Sequence, residues 1–518
     1  MSLTLFDTTL RDGTQREGVS MTAEDKARIA RELDALGIHY IEAGFPASNP
    51  KDLEFFEGFD DSSLHNAKLV AFTRARRPNG RAEDDPAVTL LPSLSAPVAC
   101  IVAKSWKLHV EKVLRTTPEE NLESVRDTVA YLAEAGKEVI FDAEHYFDGF
   151  RDDPGYSLAV LHAAAEAGAT TLVLCDTNGG TLPTELKAVV ARTVREFPDV
   201  EIGIHTHNDS GCGVANALVA VEAGTTHVQG TVNGIGERCG NCDLVTTIAN
   251  LQLKMGLKVM DDEELRRLTE VSNYVSELMN LTPDTHRPFV GRSAFAHKGG
   301  LHVDGISKDP ATYEHVAPEA VGNVRRTPVG ELSGKNSIRT KAEELGLEAG
   351  DATQILGAIK QREYEGYHYE AADASLALLI GRTMGEDRPL FELETFRIIS
   401  EKRAGGETTT EATIKLFVGG HRVISTAEGN GPVNALDQAL RKAIGPHYPE
   451  LKEIHLSNYK VRILDEHRAT AATTRVLIDS TDGKRMWGAV GVSENIIEAS
   501  WQALVDGLEY GVSGTKKE

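Results

Sequence analysis

His205 and His207 stand one residue apart in the segment IGIHTHNDSG. In an extended strand every second side chain points to the same face, so both imidazoles reach toward one point, as metal ligands must. A carboxylate, Asp12, lies far away in sequence, in LFDTTLRDGTQREG just past an apolar run, and Asn241 closes NGIGERCGN. Two imidazoles, a carboxylate and an amide oxygen form a donor set for a divalent cation, and mixed nitrogen and oxygen ligands accept Mg²⁺, Mn²⁺, Zn²⁺ or Co²⁺. A cation held at strand ends polarises a carbonyl, which points to an enzyme. Arg11, beside Asp12, is placed to meet negative charge developing on a substrate oxygen. The plainer reading is a strand-end salt bridge. It leaves unexplained why Thr8, Thr9, Arg11, Asp12 and Gln15 crowd one loop.

Glu42 and Glu144 are read as the ends of a second and a fifth strand, where each would orient substrate or move a proton. The alternative is ion pairing within a polar barrel mouth. Glu144 is the better candidate, since Asp142, His145 and Tyr146 surround it. Gly234, Gly236 and Gly240 before Asn241 let the backbone turn tightly and approach a ligand. Cys239 and Cys242 form a CxxC inside that glycine loop, and no second CxxC exists to complete a structural zinc site. Arg74, Arg76, Arg77 and Arg81 make a basic cluster, which either receives the phosphates of a large anionic substrate or is a solvated loop. His302, Asp304 and Tyr313 lie far along the chain and, taken alone, read as surface residues.

The elements that must carry these groups follow from periodicity. Short apolar runs at 3–7, 40–43, 68–72, 98–102, 138–142, 171–176, 201–205 and 227–230 read as strands, with amphipathic helices between them. Eight such strands in the first half of the chain predict a closed (β/α)₈ (TIM) barrel, over 1–260. An open doubly wound sheet is the competing architecture. A barrel converges the polar strand ends on one point, whereas an open sheet spreads them along a line. Residues 261–390 read as a helical linker subdomain, beginning with one helix over DDEELRRLTEVSNYVSELMN. Residues 391–518 read as an α+β domain with a weak internal repeat. VNALDQAL at 433–440 matches IEASWQAL at 497–504, and each follows a strand pair with a glycine turn.

Composition narrows the class. The chain has 518 residues, 41% of them hydrophobic, and a formal net charge of −23, which disfavours nucleic acid as a partner. No run of 18 or more apolar residues predicts a membrane span, and a strand starting almost at once leaves no room for a signal peptide. Five cysteines do not make a disulfide framework, and a cytoplasmic location is expected.

FDTTLRDGTQ, HTHND and GxGERxGN together resemble the acyl-CoA-condensing branch of the metal-dependent lyase and synthase barrels, which contains isopropylmalate, homocitrate and citramalate synthases. The likeness extends through HKGGLHVDG…YEHVAPEAVGN and the C-terminal domain. The segments FDAEHYFDGF, AKSWKLHV and GVSENIIEASWQALVDGLEYG are most similar to citramalate-forming members. The resemblance implies a Claisen-type condensation of acetyl-CoA with pyruvate and thioester hydrolysis, giving (R)-citramalate and CoA, toward isoleucine. Isopropylmalate or homocitrate synthesis is the same-class alternative, and a catalytically inactive amino-acid-binding sensor the alternative from another class. It further implies a metal shell of Asp12, His205, His207 and Asn241, and Arg11 on the enolate or keto oxygen. Glu144 and Thr177 match substrate contacts, Gln15 stands in the same first loop, and His302 matches an acid–base histidine with Asp304 and Tyr313 nearby. A homodimer whose linker covers the partner's barrel, and a C-terminal regulatory domain taking isoleucine, complete the expectation. One departure is visible: His302–Val303–Asp304 stands where many isopropylmalate synthases have a central glutamine.

Overall fold

The computed structural model describes residues 3–330, 333–347, 350–386, 389–402, 404–406, 408–465, 467, 471–483 and 485–514. They form two compact units, Met1–Phe295 with Val316–Val324, and Ala296–His315 with Arg325–Glu518.

The first unit is built on eight strands: β1 (Thr4–Asp7), β2 (Tyr40–Gly44), β3 (Lys68–Arg74), β4 (Val98–Lys104), β5 (Glu138–Glu144), β6 (Thr171–Asp176), β7 (Glu201–Thr206) and β8 (His227–Gly230). They run in sequence order as a closed barrel, and β8 returns to pair in parallel with β1 from Thr4↔His227 to Asp7↔Gly230. Helices Ala23–Ala35, Pro118–Glu134, Pro154–Glu166, Pro183–Glu196 and Gly213–Glu222 are among those that wrap it. Their starts are written locally. Thr22 and Asp25 form a capping box, and three of these helices carry proline in the first turn, where its missing N–H costs nothing. The barrel axis is filled by Phe6, Val70, Phe72, Val98, Cys100, Ile140, Val173 and Cys175. A packed interior closes the lower barrel, so chemistry is confined to the C-terminal mouth.

Strands β3, β4 and β5 run two residues beyond their apolar cores. The added residues Arg74, Lys104 and Glu144 are polar and give no apolar signal, yet the ladder continues through Arg74↔Val102 and Lys104↔Glu144. Glu42 does not end its strand. It is the third residue of β2, fully buried. The single helix expected after the barrel is two, Asp262–Leu265 and Leu268–Leu278. The chain tightens between them: Arg267 N–H bonds back to Glu264 O, and the Arg267 guanidinium leaves the helix for Glu32 and the Ala35 carbonyl.

The second unit opens with helices Gly300–Lys308, Lys335–Glu344, Ala352–Tyr364 and Asp373–Thr383; the last three pack around Ile338, Ile355, Ile359, Leu376 and Ile380. Two antiparallel three-stranded meanders follow. The first is β9 (Glu392–Lys402), β10 (Thr408–Val418) and β11 (His421–Gly429), then helix Pro432–Ile444. The second is β12 (His455–Ile463), β13 (Thr474–Thr481) and β14 (Met486–Ser493), then helix Ile496–Gly514. The repeated octapeptides fall in the two helices, and one apolar core runs through both halves, from Ile414 and Leu436 to Ile478 and Leu504. The glycine turn of the first half is Gly419–Gly420, both at positive φ, where a side chain would strain the backbone. Among the described residues no helix is long and apolar enough to cross a membrane.

Candidate metal centre and active site

The loop after β1 delivers Arg11 and Asp12 to the barrel mouth. His205 is the fifth residue of β7, and His207 follows the strand end. Asn241 arrives from the glycine loop after β8. That loop is stitched to β7 by the His207↔Asn241 bridge and by Cys242 N–H to Thr206 O at 2.7 Å. Gly240 sits at φ +91, and a Cβ there would meet Gly234 O at 2.0 Å, so only glycine lets the loop close this tightly.

The result is a cluster of buried donors. One ligand atom from each of Asp12, His205 and His207 lies within 4.8 Å of the others. His205 Nε2 is 3.2 Å from Asp12 Oδ2, and the Asn241 amide nitrogen contacts the same carboxylate oxygen at 2.8 Å and His205 Nε2 at 3.1 Å. Asn241 Oδ1 and His207 Nδ1 are buried with no hydrogen-bond partner. Gly236 offers further room: a Cβ at that position would stand 1.9 Å from Asn241 Oδ1. Orphaned oxygen and nitrogen donors beside a carboxylate and a second imidazole fit a divalent cation, because unpaired buried polar atoms are otherwise costly.

Charge at the cluster is compatible with ligation. Burial opposes ionisation of Asp12, but the Arg11 guanidinium and His205 outweigh it and hold the carboxyl well below the usual range. Burial, reinforced by His205, pushes His207 down to about 4, leaving a neutral, ligand-competent imidazole.

Arg11 is fixed from several sides. Its Nε donates to Glu42 Oε2 at 2.6 Å, its NH1 lies 2.9 Å from Asp12 Oδ1, and its guanidinium lies 4.1 Å over the Phe72 ring. Burial, then the charge of Glu42, pushes the nearby Asp142 carboxyl up to about 6.

The other candidates are placed as follows. Glu144 ends β5 and pairs with Lys104. Thr177 follows β6, and its hydroxyl accepts His145 N–H at 2.8 Å, joining two mouth loops. Arg238 spans Asp209 and the Thr177 carbonyl, joining two more. Gln15 is exposed in the 3₁₀ turn Gly13–Gln15. His302, Asp304 and Tyr313 belong to the second unit, where the His302 and Tyr313 rings stack at 4.2 Å and Asp304 pairs with Lys308. In the basic cluster, Arg74 is bidentate to Asp85, Arg76 is paired with Glu120 and Asp127, and Arg81 with Glu83. Arg74, Arg77 and Arg81 line a cleft of about 480 Å³ on this unit. Cys242 is buried against the Thr247 hydroxyl at 3.1 Å while Cys239 is exposed.

Gln229 is a site residue without a motif. It lies on β8 and bonds His205 Nδ1 at 2.8 Å. The two-residue spacing that marks His205 and His207 also turns His227 and Gln229 to one face, and that was its signal.

A closed parallel barrel with cation donors at its mouth, followed by a helical segment and paired α+β meanders, defines the class. The chain belongs to the HMGL-like family, whose profile matches residues 2–275. Residues 289–364 match the homocitrate synthase post-HMGL domain-like family, and 370–512 the LeuA allosteric (dimerisation) domain. The chain is 50% identical to an (R)-citramalate synthase of Aquifex aeolicus, with 99% of this chain and 98% of the relative aligned. It is 49% identical to an (R)-citramalate synthase of Synechocystis, over 99% of this chain and 96% of the relative. A probable 2-isopropylmalate synthase of Methanopyrus kandleri is 34% identical, over 97% of each chain.

Proposed function

We propose that this chain is a divalent-cation-dependent (R)-citramalate synthase, joining acetyl-CoA and pyruvate and releasing CoA. The observation that carries this reading is identity of about half over essentially the whole length to proteins of that name, in a chain that keeps the full donor set. The intact set argues against an inactive sensor.

Asp12, His205, His207 and Asn241 would hold the cation, and Mg²⁺, Mn²⁺, Zn²⁺ or Co²⁺ bound there supplies Lewis-acid polarisation of the 2-oxo acid. The chain's own residues supply the rest. Arg11, held by Glu42 and Asp12, presents fixed positive charge to the oxygen that becomes negative as the new bond forms. Thr177, Glu144 and Gln15 orient the 2-oxo acid and the thioester at the mouth. A base takes a proton from the acetyl methyl, the carbanion adds to the keto carbon, and the new alkoxide takes up a proton. Water then adds to the thioester carbonyl and the CoA thiol leaves, which makes the condensation effectively irreversible. His302, with Asp304 and Tyr313, is the proposed acid–base group, delivered by a homodimer in which one chain's second unit serves the partner's barrel. The domain matching the LeuA profile would bind isoleucine as end-product effector, in a cytoplasmic enzyme.

Comparing CoA release with pyruvate, 2-oxoisovalerate and 2-oxoglutarate tests the substrate assignment. Pyruvate is expected to give the highest kcat/KM, with (R)-citramalate as product. Preference for 2-oxoisovalerate or 2-oxoglutarate would transfer the assignment to isopropylmalate or homocitrate synthesis, and no turnover with any would favour the sensor.

A further inference from the structure

Gln229 lies within β8 with its side chain inside the barrel, 1% exposed. It bridges two strands. Its Oε1 is 2.8 Å from His205 Nδ1 of β7, and its Nε2 is 3.2 Å from Asp142 Oδ1 of β5 and 3.5 Å from His227 Nε2.

The chemistry of these groups fixes every orientation in the chain. Asp142 Oδ1 accepts from the NH₂ end of the Gln229 amide. The amide oxygen must then face His205. An amide oxygen also only accepts, so His205 Nδ1 carries a hydrogen. His205 Nε2 is thereby the nitrogen turned toward Asp12 and Asn241, at 3.2 and 3.1 Å. Ligating histidines commonly give their remote N–H to such an acceptor, which sets ring orientation and basicity.

We propose that Gln229, itself oriented by Asp142, is a positioning residue that holds His205 in the ring orientation and tautomer that bind a cation through Nε2. Gln229 acts through His205. The inference rests on the reading of Asp12, His205, His207 and Asn241 as cation ligands.

The test is calorimetric titration of Mn²⁺ into the full-length protein stripped of divalent ions. Gln229→Leu removes both hydrogen bonds. Asp142→Asn is isosteric and presents either a donor or an acceptor, so the Gln229 amide loses its fixed direction. The double variant Asp142→Asn/Gln229→Glu exchanges the two groups: the carboxylate at position 229 accepts from His205 Nδ1–H and from the amide at position 142, with net charge unchanged. Each single variant is expected to weaken Mn²⁺ binding by about 10- to 100-fold, as loss of an outer-shell partner typically does. The double variant is expected to return near the wild-type affinity, which loss of packing alone would not produce. Should Gln229→Leu fail to fold, the isosteric Asp142→Asn and the double variant decide. Wild-type affinity in Asp142→Asn, or a double variant as weak as Asp142→Asn, would overturn the inference while leaving the cation site standing. No Mn²⁺ binding by the wild type would overturn both.

Discussion

Arg11 Nε lies 2.6 Å from Glu42 Oε2, so a loop residue after β1 is tied to a carboxylate buried inside β2. The same oxygen accepts the Thr8 hydroxyl at 2.6 Å, which fixes the carboxylate in turn. A planar guanidinium held this way keeps its direction while the reaction proceeds, and a lysine ammonium has neither the fork nor the reach over Phe72. Arg11→Lys is therefore expected to lower kcat by about 10²–10³ with the fold intact, the range seen when one preorganised oxyanion donor is lost. Glu42→Gln keeps a hydrogen-bond acceptor and is expected to lose less. Steady-state CoA release measures both, and wild-type kcat in Arg11→Lys would remove the arginine from the chemistry.

The glycine loop makes a separate point about room. A Cβ at Gly236 would stand 1.9 Å from Asn241 Oδ1. Gly236→Ala is expected to push the amide off the donor cluster and weaken Mn²⁺ binding at least tenfold, given about 1.4 kcal/mol per tenfold change. Circular dichroism should show an unchanged fold. Unchanged Mn²⁺ affinity would exclude Asn241 as a ligand.

His227 gives the barrel a pH dependence. Burial, then the charge of His39, pushes its imidazole down to about 3. The ring sits between Phe6, at 5.3 Å, and Tyr40, at 6.0 Å; Nδ1 makes no hydrogen bond, and the Glu201 carboxylate lies 3.9 Å from it. The unfolded chain takes up this proton near pH 6.5 and the folded chain only near 3. Because the folded value is depressed, the contribution is complete above about pH 6.5 and is lost as pH falls toward 3, by at most about 1.4 kcal/mol per pH unit. Thermal unfolding between pH 7 and 5 is expected to show a shallower decline of Tm in His227→Gln than in the wild type. Equal slopes would contradict this.

Isoleucine should act through the paired meanders. Titrated into the full chain, it is expected to lower CoA release from pyruvate and to slow hydrogen exchange within 391–514. Leucine is expected to do less. Unchanged rate and exchange would remove isoleucine as the effector.

The barrel was legible because its strands are apolar runs at regular intervals and its helices begin with caps and prolines. The donor set was legible because two histidines at a spacing of two residues are rare in a strand. Three strands run past their expected apolar ranges, and Glu42 lies within its strand rather than at its end, because polar residues give no apolar signal. Arg74, Lys104 and Glu144 are ladder residues without apolar character, and Glu42 is a carboxylate buried by its partner Arg11 rather than by its own hydrophobicity. Strands β9 and β12 were missed because most of their side chains are exposed and alternate weakly. Gln229 was missed for another reason: the spacing that pairs it with His227 is a weak signal, and its importance lies in the two groups it connects, 24 and 87 residues away.

Catalysis on pyruvate by the donor cluster at the barrel mouth is the claim on which the other assignments depend. Its most direct measurement is kcat/KM for (R)-citramalate formation in three samples: wild type, wild type stripped of divalent cations, and Asp12→Ala. The stripped protein is expected to be inactive and to recover on adding Mn²⁺, while Asp12→Ala stays inactive with or without it. Wild-type turnover in Asp12→Ala, or in the stripped protein without added cation, would contradict the account.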